Sequence, residues 1–423
     1  MFNDGVIVEQ FGIKTALSII KDDVKKIEKK NFKNGLKDVS EQLGKAGSVS
    51  DFGFDVEQDI MKAIVGEPKD QDVYGKNVVG KDSISLSVKK GVNEINQLLL
   101  ALYEAYVSNQ YRENFDWFDN FSSISDKILI SELDNKIIEK INNEGNDVIY
   151  WLSIPEVISW ELTKCFRYKL KPDSQEYQDI EFDEFKDSLK EEEKNNISIE
   201  ILKNKKVFQI DIDDKEIKYW FVYKCLYAEI DFNNEKYLLV SGKYYKVDKG
   251  YKQKIENEFC VDTSFVLPNW NKPAHENVYN AEVANNDSNY QCLDGGANRS
   301  NLIGKGKIEF ADLVKSDKYL IHVKKYGASS VLSHLFSQGF VSANLLLTDI
   351  SFRKKVNSKL KDSHKDVVTE ALPNSEEYTI VYAIGTDKNE LKLPFFSLVN
   401  FRNIKKQLEL YKYKVLLIKI NRI

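Results

Sequence analysis

Asp312, His322, Lys324 and Gln338 are the side chains in this sequence whose types and order could do chemistry together. Residues 308–314 and 319–323 are short apolar runs on either side of a polar turn containing Ser316 and Asp317. That pattern predicts two adjacent strands joined by a tight connection. Asp312 comes late in the first run. His322 and Lys324 are two apart in the second, so a strand points both to one face. The polar cluster 327–330 then leads into a helical pattern, VLSHLFSQG, which carries Gln338. A carboxylate and an ammonium brought by neighbouring strands to one spot can hold a hard cation and balance charge on a phosphodiester.

Carboxylate on one strand, a polar-x-Lys pair on the next, then a helix with a glutamine: this order resembles the core of the PD-(D/E)XK nuclease superfamily. The resemblance implies a catalytic set of Asp312, His322, Lys324 and Gln338, with Mg²⁺ or Mn²⁺ as the expected cofactor. Asp312 would be a metal ligand, Lys324 would stand near the attacking water and the phosphate, and Gln338 would hold substrate or position the lysine. The residue two before the lysine is normally Glu or Asp in that superfamily, and here it is His322. Imidazole is a poor Mg²⁺ ligand and suits Mn²⁺, Zn²⁺ or proton transfer better. Another carboxylate is therefore needed. Glu309 is near, but in an ideal strand it points away from Asp312, so a bulge is required to bring both to one metal. Glu276, in the segment HENVYN, can supply the acid that the superfamily often draws from an early helix. Asp294 is a further option.

Around these lie groups suited to holding substrate. Ser329, Ser330 and Ser333 fit helix caps, and fit equally a phosphate at a helix N-terminus. Lys325, Arg353, Lys354 and Lys355 are placed to touch a phosphate backbone. His334 reads as a packed side chain. Other chemistries lack their motifs. There is no GxSxG elbow, no phosphate loop of the GxxxxGK[ST] or GxGxxG kind, and no Cys or His at zinc-ligand spacing.

The elements that must position these groups are read from hydrophobic period and turn signals. Residues 266–423 predict an α/β unit. It begins with a helical or loop entry at 276–284 and a strand near 290–293. The two strands above and the helix at 331–339 follow, with a further helix through 342–347. A basic loop at 353–365, a strand at 378–384, a helix at 401–411 and a strand at 414–420 complete it. Such mixed strands and helices suit a central sheet covered by helices. Upstream, 207–248 is rich in β-branched and aromatic residues. It is punctuated by Asp213-Asp214, Asn233-Asn234 and Ser241-Gly242, so an antiparallel sheet is expected. The clearest helix is 92–112, with Val92, Ile95, Leu98, Leu99, Leu102, Tyr103 and Tyr106 at helical spacing. The aromatic cluster Tyr111, Phe115, Trp117, Phe118 and Phe121 reads as a core cap, with base stacking as the alternative. Residues 11–20 read as a strand or a short helix, 43–50 and 66–80 as loops, and 133–141 and 157–165 as helices. The fold class expected is thus α+β or α/β and multi-domain, with a C-terminal mixed sheet flanked by helices. Four segments are expected: an N-terminal α/β domain at 1–172, an acidic helical linker at 173–200, a small antiparallel module at 201–265, and the nuclease-like domain at 266–423.

Composition bounds the function. In 423 residues the hydrophobic content is 42% and the charged content 30%, which places the chain among globular proteins rather than disordered ones. No apolar run is long enough to cross a bilayer. The first residues show no basic flank followed by an apolar core, so no export signal is expected. The four cysteines are widely separated and fit thiols in a reducing cytoplasm. Net charge is −5, so the whole molecule does not attract nucleic acid. Yet residues 305–365 hold twelve Lys and Arg against five Asp and Glu, a local excess of 7.

Several blocks resemble a sporadically distributed, largely uncharacterised bacterial family encoded near restriction and phage-defence genes. They are YGKNVVGKDSISL, YRENFDWFDN, EKYLLVSGKYYKVD, HENVYN, IEFADLV, IHVKKYGASSVLSHLFSQGFVSANLL and LPFFSLVNFRN. The resemblance implies a defence role, with nucleic acid (DNA before RNA) and a phage trigger or partner subunit as expected partners. Three functions are carried forward. The first is a metal-dependent nuclease. The second is a non-catalytic nucleic-acid- or partner-binding protein on a degenerate nuclease scaffold. The third is a nucleotide-using transferase or toxin.

Overall fold

A computed structural model of the chain describes residues 8, 10–31, 37–47, 49–52, 59–143, 148–155, 158, 162–171, 174–293, 300–303, 306–327 and 329–423. The chain divides into two compact units, one of Met1–Phe32 with Leu36–Gln253 and one that includes Lys254–Ile423. No described helix is long and apolar enough to cross a membrane.

Among the described residues the first unit contains three sheets. In the first, the strands Lys37–Gly47, Ile20–Asn31, Asp59–Pro68, Val78–Gly80 and Ile84–Leu86 lie in that order. The helix Phe11–Ile19 packs on this sheet at close range. A Cβ on Gly80 would come 2.4 Å from the Gly12 carbonyl oxygen and 2.6 Å from Ala16 Cβ. The segment 11–20 is therefore helical for nine residues and enters a strand at Ile20. The loop expected at 43–50 is a strand to Gly47 followed by a 3₁₀ turn. Of LGKAG only Gly47 is paired, with Val24, across an irregularity in the register.

The stretch 207–248 is antiparallel as expected, but it is shared between two sheets. Glu216–Phe221, Lys206–Ile210 and Cys165–Arg167 form one. Leu226–Phe232, Glu235–Val240 and Lys243–Val247 form the centre of the other. The turn residues behave as their chemistry dictates. Asn233, Asn234, Ser241 and Gly242 take φ of 51°, 62°, 52° and 77°, which a two-residue hairpin loop needs in order to match strand twist. The acidic stretch holds the short helices Phe182–Ser188, Glu191–Lys194 and Ile199–Asn204, and Phe182, Phe185, Leu189, Ile197 and Leu202 on and between them join the core of this unit. Charge there dresses the outer face of packed helices. Tyr111, Phe115, Phe118 and Phe121 are buried, so the aromatic cluster is core. Of the helix expected at 157–165, residues 157 and 159–161 lie outside the described residues, and 162–165 are not α-helical, Cys165 opening a strand.

The second unit is built on one five-stranded sheet. Its strands are β1 (Tyr290–Cys292), β2 (Leu313–Lys315), β3 (Tyr319–Lys325), β4 (Thr379–Thr386) and β5 (Lys414–Asn421), side by side in chain order. The first three form an antiparallel meander, and β3, β4 and β5 are parallel. Parallel neighbours require crossovers. The helices α2 (Ser329–Thr348) and α3 (Ile350–Lys359) connect β3 to β4, and α4 (Phe395–Leu410) connects β4 to β5. A helix before the sheet, α1 (Glu276–Asn286), packs on the opposite face. The strand residues Leu313, Ile321, Val323, Val381, Ala383, Ile418 and Ile420 meet Trp270, Tyr279 and Val283 on that side. On the other side Tyr382 packs edge-on against Phe336 of α2 and Phe401 of α4. The C-terminal mixed sheet flanked by helices is therefore present. The basic loop expected at 353–365 is a correction: it begins as helix α3, N-capped by Asp349, whose carboxylate accepts the Phe352 N–H at 3.1 Å. Phe352 and Val356 point inward at helical spacing and hold it down.

Candidate functional site

The site grows from a mismatch in strand length. Strand β2 pairs with β3 only at residues 319–321, whereas β4 pairs with β3 as far as Lys325. Beyond Ile321 the β2 edge of β3 has backbone N–H groups and no strand to receive them, a condition proteins seldom leave unanswered. Two carboxylates answer it. Asp312, immediately before β2, accepts the Val323 N–H at 2.6 Å through Oδ2, while its own N–H donates to the Ile321 carbonyl at 3.0 Å. Glu276, the first residue of α1, accepts the Lys325 N–H at 3.3 Å through Oε1. Its other oxygen, Oε2, lies 2.8 Å from Lys324 Nζ. Two N–H groups two residues apart along a strand are separated by roughly 7 Å. Asp312, Glu276 and Lys324 thus gather at the end of β3.

The ion pair is half exposed, with side-chain exposures of 33% for Lys324 and 30% for Glu276. Such a pair contributes less than about 1 kcal/mol to stability. Fold stability alone is a weak reason for it. A second contact lies on the α2 side, where Gln338 Nε2 donates to Glu309 Oε2 at 3.1 Å. Gln338 is thereby tied to the segment that leads into Asp312.

His322 does not join this group. It is 2% exposed, its ring centre lies 5.9 Å from that of Tyr382, and its Nε2 has no hydrogen-bond partner. Burial pulls its pKa down to about 4. His322 turns to Tyr382 on the α2 side of the sheet, whereas Lys324 reaches Glu276 of α1. The expected common face is thus a correction, and access differs as well: the strand end is open at Lys324, and one pleat earlier helix α2 and Tyr382 cover the sheet.

The expected substrate-holding groups are dispersed. Lys325 is exposed beside the site. Ser329 and Ser330 open α2, and their side chains lie outside the described set, as does Asp294. Ser333 is fully buried with no partner for its hydroxyl, so it does not meet an external phosphate. Arg353 is also a correction. It is 6% exposed, and its guanidinium donates to the carbonyls of Leu346, Leu347 and Glu370, fastening α2, α3 and the following turn. Lys354 lies 3.3 Å from Glu370 on the outside of α3, and Lys355 is exposed there.

Among the described residues no group of three or more His, Cys, Asp or Glu is gathered in metal-holding geometry. Asp312 and Glu276 offer hard oxygen donors. Mg²⁺ commonly takes only one or two carboxylates and fills its octahedron with water and substrate phosphate. The two acids are held on N–H groups about 7 Å apart, so sharing one ion requires Glu276 to turn away from Lys324.

What sequence reasoning missed is the part played by backbone: the unpaired N–H groups of Val323 and Lys325 hold both acids. Unequal strand lengths were the signal, and they are not visible before pairing is known.

The chain belongs to a family of unknown function, DUF6119, whose model matches residues 1–421. No curated protein and no solved structure gives a significant match.

Proposed function

Proceeding from a family without an assigned activity, we propose that the C-terminal unit is a metal-dependent nuclease of PD-(D/E)XK type, acting on nucleic acid in the cytoplasm as part of bacterial defence. The observation that carries this reading is the convergence of Asp312, Glu276 and Lys324 at the end of β3, where a three-stranded meander passes into parallel strands. A helix bearing an acid, a meander, and a crossover helix to a parallel strand follow the order expected of that superfamily. Asp312 and Glu276 would hold Mg²⁺ or Mn²⁺. Bound there, the ion would activate water and neutralise charge at the scissile phosphate.

The chain's own part is electrostatic. The Lys324 ammonium is kept beside Glu276 and is the group nearest to meet phosphate charge. Substrate and cation would divide that pair, the carboxylate turning to the cation and the ammonium to phosphate. Asp312 stays fixed by the Val323 N–H, so it need not be ordered at the moment of reaction. Gln338 keeps the 309–312 segment against α2. A phage trigger or partner subunit belongs to the same proposal.

A second reading is favoured by one observation: the position two before the lysine holds a sealed, neutral histidine where the superfamily has an acid. On that reading the scaffold binds nucleic acid or a partner without cutting.

The test is a cleavage panel on plasmid, single-stranded DNA and RNA with Mn²⁺, Mg²⁺ or EDTA. Metal-dependent cutting that falls by about 10²–10³ in both Asp312→Ala and Lys324→Ala is the expected result. Salt-sensitive binding without cutting, equal in both variants, supports the second reading and overturns the first.

A further inference from the structure

A cavity of about 460 Å³ lies in the first unit, lined by residues of the helix Phe11–Ile19, the end of the helix Ile95–Val107, and the segment around the strand Phe121–Ser123. Three cationic side chains, Lys14, Arg112 and Lys127, line it together with Ser122, Ser123 and Ser125. One carboxylate, Asp119, is also in the wall. It is already committed, accepting from Tyr111 Oη and from Arg112 Nε at 2.6 Å each.

Lys14 differs from the lysines around it. Its ammonium lies 4.8 Å from the Tyr106 ring centre and 5.4 Å from that of Tyr111. Among the described residues it makes no ion pair and no side-chain hydrogen bond. Burial lowers its pKa, and the attraction of Asp119 only partly opposes this. Two aromatic faces compensate a cation in part, but they accept none of its three N–H donors. The wall is also held in a conformation that few side chains adopt. Gln10 has φ of 59°, its Oε1 accepts the Ser123 N–H at 3.3 Å, and its own N–H donates to Asp82 at 3.2 Å. Non-glycine residues in that region cluster where a ligand clamp justifies them.

We propose that this cavity binds a small phosphate-bearing ligand, received by Lys14 and Lys127 and by the hydroxyls of Ser122 and Ser125. A tetrahedral oxyanion supplies several acceptors at once, which matches converging ammonium and hydroxyl donors. Arg112 stays on Asp119 and adds positive charge at the rim. The site lies in the first unit and does not rest on the hydrolytic reading of the second.

The experiment is a calorimetric titration of the full chain with inorganic phosphate, pyrophosphate and ATP, in the absence of metal. Wild type is compared with Lys14→Gln, Lys127→Gln and Lys324→Ala. Saturable binding is expected for at least one of these ligands, weakened about tenfold or more in Lys14→Gln, since a charge-assisted contact is lost. It is expected unchanged in Lys324→Ala. Preference for ATP or pyrophosphate over phosphate identifies a nucleotide-like source, and the reverse identifies the free ion. Should Lys14→Gln fail to give the wild-type circular dichroism spectrum, Lys127→Gln on the exposed first turn of its helix decides. No saturation up to millimolar ligand overturns the proposal. So does binding that is indifferent to both lysine substitutions, or that is lost in Lys324→Ala instead.

Discussion

At the scale of single residues, the contrast between His322 and Lys324 is instructive, because two positions two apart on one strand have opposite fates. Lys324 reaches a carboxylate at the open strand end. His322 is held neutral in the interior, its pKa near 4 against an ordinary 6.5. The consequence for stability has a definite sign. Above pH 6.5 neither folded nor unfolded state binds the proton. Between pH 6.5 and 4 the unfolded chain takes it up and the folded one does not, so stability falls as pH drops through that window. The full loss is about 3 kcal/mol, from a shift of 6.5 to 4. His322→Asn should therefore lose stability less steeply than wild type between pH 7 and pH 4, as read from urea midpoints at each pH. Parallel curves would show that the imidazole is not sealed. The cleavage panel on Asp312→Ala and Lys324→Ala and the titration of Lys14→Gln belong to this scale too, since each removes one charged group.

At the scale of elements, the second unit depends on how closely α2 approaches the sheet. Gly339 is the contact point. A Cβ there would stand 2.5 Å from Tyr382 Oη and 2.6 Å from its Cε1. The ring cannot swing aside, because it is fully buried and its hydroxyl donates to the Phe336 carbonyl at 2.9 Å. Alanine would gain about 1 kcal/mol in helix propensity. The forced displacement costs about 1–3 kcal/mol. Gly339→Ala should thus be net neutral to destabilising despite its helical setting, with a lower urea midpoint and unchanged slope. A variant more stable than wild type by the full propensity gain would mean that α2 stands farther from β4. The same approach explains why Gln338, next in the chain, comes within reach of Glu309.

For the whole molecule, charge is the quantity that sequence counting handles least well. Residues 305–365 hold twelve cations and five acids. Folding brings acids from elsewhere to them. Lys324 meets Glu276, Lys318 meets Glu377, and Lys354 meets Glu370, while Lys315 takes Asp317 from within the window. Arg353 is buried on carbonyls. The field offered to nucleic acid is therefore much weaker than an excess of seven suggests. If the chain binds nucleic acid, a plot of log affinity against log salt should have a slope of only about −3, equivalent to some three neutralised phosphates. A slope near that of a strongly basic protein, about −7 or steeper, would place the contact surface elsewhere.

Legibility in the sequence followed how local the governing physics is. The hairpins at Asn233-Asn234 and Ser241-Gly242, the strand that carries His322 and Lys324, and the two closing parallel strands were readable, whereas the run 308–314 joins the central sheet only at Leu313–Lys315 and the strand pair Ser300–Ile303 and Gly306–Ile308 was not foreseen. Turn geometry and hydrophobic period act over a few residues, and the sequence by itself determined them. The helix at 92–112 was readable in type but not in burial. Of its apolar stripe only Leu102 is buried, while Leu99 and Tyr103 are 58% and 60% exposed. Burial depends on what the rest of the chain places opposite. For the same reason α3 looked like a basic loop until Phe352 and Val356 found a core.

The candidate site divides along the same line. Asp312 and Lys324 could be nominated from type and spacing, and Glu276 and Gln338 only from the resemblance to the nuclease core. Their actual partners could not. Only the tertiary structure decided that β3 outruns β2, that Asp312 and Glu276 take the N–H groups so exposed, and that His322 is covered while Lys324 is open. Those outcomes turn on which strands end first and which helix lies above them, and no short stretch of sequence contains that information.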